Sequence, residues 1–223
     1  TLSSSSAASD VYKRQYMYGE GYSVIAASHP DSHYDSTAFT DVIGNVTARG
    51  TNTIIDNVNF YGRGIDRITV SGNSRGFTDN YIFVNLLGLN SLTVSGPGIA
   101  RSQFFINGPL GTIQTTGANS NIVDTEIQAL AAMKKLSTNG LDGCYIEITT
   151  LNSLSTLDYI VDTTFQVGGI RTLSVRGDVT DSLIDFVGPL NRMTVGGDMT
   201  DTTVQATGPW GDIGNIIVTG DIT

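Results

Sequence analysis

RTLSVRGDVTDSLIDFVGPL (residues 171–190) is followed at once by NRMTVGGDMTDTTVQATGPW (residues 191–210). Both run aliphatic, any residue, Val, any residue, Gly, then Asp; both close on Gly-Pro. The same core recurs as VTARG ending at Gly50, ITVSG at Gly72, LTVSG at Gly96, IQTTG at Gly117, LSTNG at Gly140 and IIVTG at Gly220. LSTLD, ending at Asp158, fills the remaining place without its glycine. Successive units are 22, 24, 21, 23, 18, 19, 20 and 23 residues apart, a fixed period with scatter that belongs in loops.

A second aliphatic residue precedes the first by three positions in all nine units, from Ile43 and Val46 through Leu92 and its partner Leu89 to Ile213 and Ile216. Each unit shows two runs of period-2 alternation. Leu173 and Val175 or Met193 and Val195 form the first; Phe104 and Ile106 or Ile184 and Phe186 form the second. Glycine corners such as Gly108-Pro109 and Gly188-Pro189 follow. Alternation, β-branched residues and regular turns specify strands rather than helices. A segment that looks helical by itself, ALAAMKKL (residues 129–136), keeps the unit spacing through Met133 and Leu136 and is read as an irregular lead-in. The expected fold is all-β: a single-stranded right-handed parallel β-helix of about nine coils of ~21 residues.

This pattern resembles the right-handed parallel β-helix of pectate-lyase-like proteins and bacterial surface adhesins, over residues 43–223. The resemblance implies a secreted or cell-surface location and glycans or other surface proteins as partners. A left-handed helix would need a hexapeptide rhythm, and a leucine-rich repeat an Asn ladder with a helical half; neither occurs. SSSSAASDVYKRQ (residues 3–15) resembles translated adapter read-through from environmental sequencing, so residues 1–15 are read as a non-native tail. Residues 16–42 are read as an N-terminal cap or irregular first coil. The final GDIT (residues 220–223) repeats GDVT and GDMT, so the expectation is a fragment of a longer repeat protein.

The formal net charge of −9 argues against nucleic acid, and against anionic polysaccharide bound without metal. No apolar run approaches the ~20 residues that a membrane-spanning helix needs. The single cysteine, Cys144, excludes an intrachain disulfide and shares the inward parity of Ile146 and Ile148.

Four features could carry chemistry. Asp178, Asp198 and Asp221 each follow a repeat glycine; stacked, they could share Ca²⁺, although turn capping explains Gly-Asp as well. HPDSHYD holds both histidines, His29 and His33, which with Asp31, Asp35 and Asp41 supply metal-ligand types without a recognised spacing. The outward face of the first strand is a nearly uncharged ladder: Thr69 and Ser71, Thr93 and Ser95, Gln114 and Thr116. Trp210 is expected at a half-buried corner. The NTD, Asp-Asp, Gly-His-Gly and RIK motifs of polygalacturonase-type β-helix glycosidases are absent, so no catalytic residue is assigned. The expected role is a structural, adhesin-like segment; the alternative is a fragment of a carbohydrate-active lyase or hydrolase.

Overall fold

A computed structural model describes residues 42–50, 54–72 and 76–223, with the backbone of residues 15–17 and 24–25. Among these the chain is all-β with no helix, a parallel β-solenoid of about eight turns. The register reproduces the sequence repeat residue by residue. Val46 pairs with Ile68, Ile68 with Leu92, Leu92 with Ile113 and Ile113 with Leu136. Leu136 pairs with Leu154, Leu154 with Leu173, Leu173 with Met193 and Met193 with Ile216. At about 4.8 Å per strand spacing, the eight steps make a stack roughly 40 Å long.

Each coil has three faces, one more than the two strands read from the sequence. Between the two expected strands lies a run of two or three residues, such as Gly98–Ala100, Ile160–Val161 or Val179–Thr180. Eight of these runs form a separate parallel sheet. Each contributes one core residue, including Ile55, Phe77, Ile122, Leu141, Val179 and Met199. One apolar residue in a run of three is too short a period to stand out beside the longer strands. The GDVT stretch is therefore a corner at Gly177-Asp178 followed by this third strand.

The second strand often runs unbroken into the first strand of the next coil. Val58–Ser71, Tyr81–Ser95, Glu126–Thr138 and Tyr145–Thr156 all bend across that corner. The segment 129–136 lies inside one of them, with Met133 and Leu136 buried in register and a shift in pairing between Ala129 and Ala132. The stack also begins earlier than the first glycine unit: Val24 pairs with Val46, and Gln15–Met17 lies beside Val58–Phe60. Gln15 belongs to the stretch read as adapter sequence, yet its backbone is placed in the sheet.

The core is one column of aliphatic side chains with stacked rings. Phe60, Phe77 and Phe104 follow one another with centroids 6.3 and 6.1 Å apart. Corners close tightly. Gly98 has φ +101°, and a Cβ there would overlap the carbonyl oxygen of Asn121 one coil on, so only glycine fits.

Candidate functional site

Two polar columns run along the stack and shape its surface. The first sits at the corner before the second strand, where the backbone turns left-handed at Asn57, Asp79, Arg101, Asp124, Asp162, Asp181 and Asp201, with φ between 46° and 55°. Gly143 takes the same place with φ 60°. Asn, Asp and Gly are the residues that tolerate this region, because a short polar side chain bonds locally or no Cβ is present. Arg101 is the exception, at a cost of about 1–2 kcal/mol for a side chain without that compensation.

The second column is internal and begins one residue later. Asn80, Ser102, Thr125, Cys144, Thr163 and Ser182 are all buried. Each offers a side-chain acceptor or donor to a neighbouring coil or to its own corner. The Val58 N–H donates to Asn80 Oδ1 at 2.9 Å, the Asn80 N–H to Ser102 Oγ at 3.2 Å, and the Thr163 N–H to Ser182 Oγ at 3.2 Å. The hydroxyls of Ser102, Thr125, Thr163 and Ser182 donate back to the carbonyl two residues earlier, at 2.8–2.9 Å. These bonds satisfy corner amides that no strand can reach. Cys144, 3% exposed, stands in this column, its Sγ 3.3 Å from the carbonyl oxygens of Ile122 and Asp142. Burial pushes its thiol up to about 11, so it is a buried neutral group.

The expected sites fall as follows. Asp178, Asp198 and Asp221 do stack, and the first two carboxylates accept backbone N–H groups: Asp198 N–H donates to Asp178 Oδ1 at 2.8 Å, and Asp221 N–H to Asp198 Oδ1 at 2.7 Å. This is the turn-capping arrangement, written between coils rather than within one. Among the described residues no group of three His, Cys, Asp or Glu side chains is placed to hold a metal ion. His29 and His33, with Asp31, Asp35 and Asp41, lie outside the described residues. The ladder Thr69, Thr93, Gln114 is in register on the outer face of the first strand, and its side chains are half-buried. Trp210 is corrected: it is 78% exposed, because it sits in the turn before Ile213–Val218 rather than against the column of leucines.

A broad concavity lies on the other lateral face, where the left-handed corners meet the outer side of the second strands. It encloses about 880 Å³ and crosses five coils. Its floor is the outward column Asn59, Tyr81, Gln103, Glu126, Tyr145, with Tyr61 at the start of the adjoining column, which continues outside the concavity as Phe83, Phe105 and Gln128. The Tyr81 ring lies 5.6 Å from Tyr61 and 5.5 Å from Phe105, tilted by 42° in each case. At the rim, Arg101 grips Asp79 with two bonds of 2.8 Å, from Nε and from a terminal nitrogen. The guanidinium hydrogen-bonding to Asp79 holds that carboxyl below its ordinary range. Glu126 receives Gln103 Nε2 at 3.1 Å and Gln128 Nε2 at 2.7 Å, one on each oxygen. Burial, then the charge of Glu126, raises the Tyr81 hydroxyl; burial, then Glu147, raises Tyr145. All these phenols are therefore neutral hydrogen-bonding groups at ordinary pH.

Sequence reading missed this groove because in the second strand it tracked only inward residues, for which outward ones are noise. The signal was present: YGR, YIFVN and SQFFIN place rings at the outward parity in three successive units. No family model, curated protein or solved structure matches the chain.

Proposed function

We propose that the chain is a stiff structural segment of a larger secreted or cell-surface bacterial protein, adhesin-like in that it spaces and presents surfaces rather than performing catalysis. The observation that supports it is the unbroken coil-to-coil register from Val46 to Ile216, with no long excursion between turns in that span. The strands of successive coils pair in parallel ladders, so load along the stack would be shared among them. Glycans and other surface proteins are the partners such a segment would meet.

Single-molecule pulling between the two ends tests the load-bearing role. The expected record is stepwise lengthening in multiples of one coil at forces well above those of helical domains. Collapse in one step at low force overturns it. Flanking coding sequence gives a second readout: tandem coils with a secretion or sorting domain support the proposal, whereas an acid-rich catalytic loop with a nearby Arg or Lys supports the lyase or hydrolase alternative.

A further inference from the structure

Arg101 is the departure that calls for a reason. Seven of the eight residues in the left-handed column are Asn, Asp or Gly, and the one that is not stands midway along the groove. Backbone strain retained against a local rule marks a place where something other than the fold selects the residue. Balancing the stacked acids does not explain it: Asp162, Asp181 and Asp201 follow one another in the same column without any basic member.

The rings make the same point independently. Tyr61, Tyr81, Phe83 and Phe105 occupy the two outward columns on three consecutive coils. Further along, the same columns hold Thr164, Gln166 and Asp185 in unchanged register. The solenoid does not need aromatic residues there. Two of them, Tyr61 and Tyr81, line the concavity beside the strained arginine, and Phe83 and Phe105 continue the patch just outside it.

We propose that this groove binds a neutral oligosaccharide laid along the stack, with Tyr61 and Tyr81 as apolar platforms and the Asp79–Arg101 pair, Gln103 and Glu126 as hydrogen-bond partners. This rests on the reading of the chain as a presenting surface, and it names the ligand class. Sugar rings offer apolar C–H faces to aromatic rings and hydroxyl pairs to planar amide, carboxylate and guanidinium groups, which are the groups present. Asp79, Asp124 and Glu126 outnumber Arg101, so an anionic glycan is repelled. A basic peptide is disfavoured because two of the three acids are already engaged: Asp79 by the arginine fork, Glu126 by two amides. Strand addition is closed as well, since these second strands pair on both sides. Five coils at about 4.8 Å give a floor near 20 Å long, room for several pyranose rings.

The test is calorimetric titration of the whole chain with β-1,4-linked hexaoses of glucose, xylose and mannose, with hexagalacturonate, and with an Arg-rich decapeptide. At least one neutral hexaose is expected to bind. Tyr81→Gln should weaken it about tenfold or more. That variant places in the column a residue already borne by the next coil, and an unchanged melting curve certifies its fold. Gln205→Ala, on the same face but outside the groove, should leave binding unchanged. The proposal is overturned if no neutral hexaose binds, if only hexagalacturonate or the peptide binds, or if Tyr81→Gln binds as well as the native chain. Because pulling reads the stack and titration reads the groove, failure of one leaves the other standing.

Discussion

Thr138 and Thr156 are neighbours in one inward column, paired directly across adjacent coils. Both are buried, at 2% and 0% exposure, yet their hydroxyls differ. Thr138 Oγ1 is 2.9 Å from Thr115 Oγ1 and 3.0 Å from the Ser120 carbonyl oxygen. Thr156 Oγ1 has no hydrogen-bond partner. The next coil already carries Val175 at this position. One isosteric substitution should therefore act with opposite signs. Thr138→Val removes bonds worth about 0.5–1.5 kcal/mol each, so it should cost roughly 1–2 kcal/mol. Thr156→Val relieves an unpaired buried hydroxyl, whose burial costs about 1–3 kcal/mol, and should stabilise by about 1 kcal/mol. At about 2–4 °C per kcal/mol for a chain of this size, Tm should fall by roughly 2–8 °C in the first and rise by roughly 2–4 °C in the second. Thermal and urea unfolding followed by circular dichroism and by fluorescence would measure both, with coincidence of the probes showing whether the stack melts as one unit. Equal losses in the two variants would refute the hydrogen-bond assignment.

Other consequences are as direct. Asn80→Leu strips the Val58 N–H of its acceptor and the Ile55 carbonyl of its amide donor, both at 2.9 Å; a loss of about 2–4 kcal/mol in urea unfolding is expected, and a change below the error would contradict the internal column. The Cys144 thiol, raised from 9.0 to about 11, stays neutral in the folded chain where the unfolded one ionises. Stability from this group is thus complete below pH 9 and is lost as pH rises through 11. Native iodoacetamide labelling at pH 8 should be far slower than after unfolding, and Cys144→Ser, the column's own chemistry, should flatten the alkaline loss; rapid native labelling would count against burial. Asp178→Ala frees one exposed N–H and should cost under ~1 kcal/mol, with melting of the native chain indifferent to EDTA. A chelator-induced fall in Tm would instead reveal a cation among these aspartates.

The repeat was legible because its carriers are inward aliphatic residues, and burial at fixed register leaves them little freedom. Ile43, Leu92, Met133 and Ile216 name their own coil. Polar positions are different. The internal column accepts Asn, Ser, Thr or Cys, four residue types that share only a small hydrogen-bonding atom, so no letter recurs along it. The third face gives one apolar residue per coil, below the length at which alternation can be recognised. The groove was invisible for a further reason: Tyr61 and Tyr81 obey ordinary strand preferences, and only three-dimensional adjacency to Arg101 separates them from surface noise. Asp178, Asp198 and Asp221 recur in the sequence after a repeat glycine, but whether a carboxylate faces a cation or an amide is set by the backbone between coils.

The side-chain column behind the corners has a bearing on heredity. Several turns bring the oxygen that the preceding turn needs, as Asn80 does for Val58, Ser102 for Asn80 and Ser182 for Thr163. A duplicated stretch such as residues 171–190 can therefore enter or leave in frame without any neighbour having to change. Near-identical adjacent copies are also what misaligned recombination acts on. Reach, in such a lineage, is a quantity that can drift one turn at a time while the fold is inherited intact.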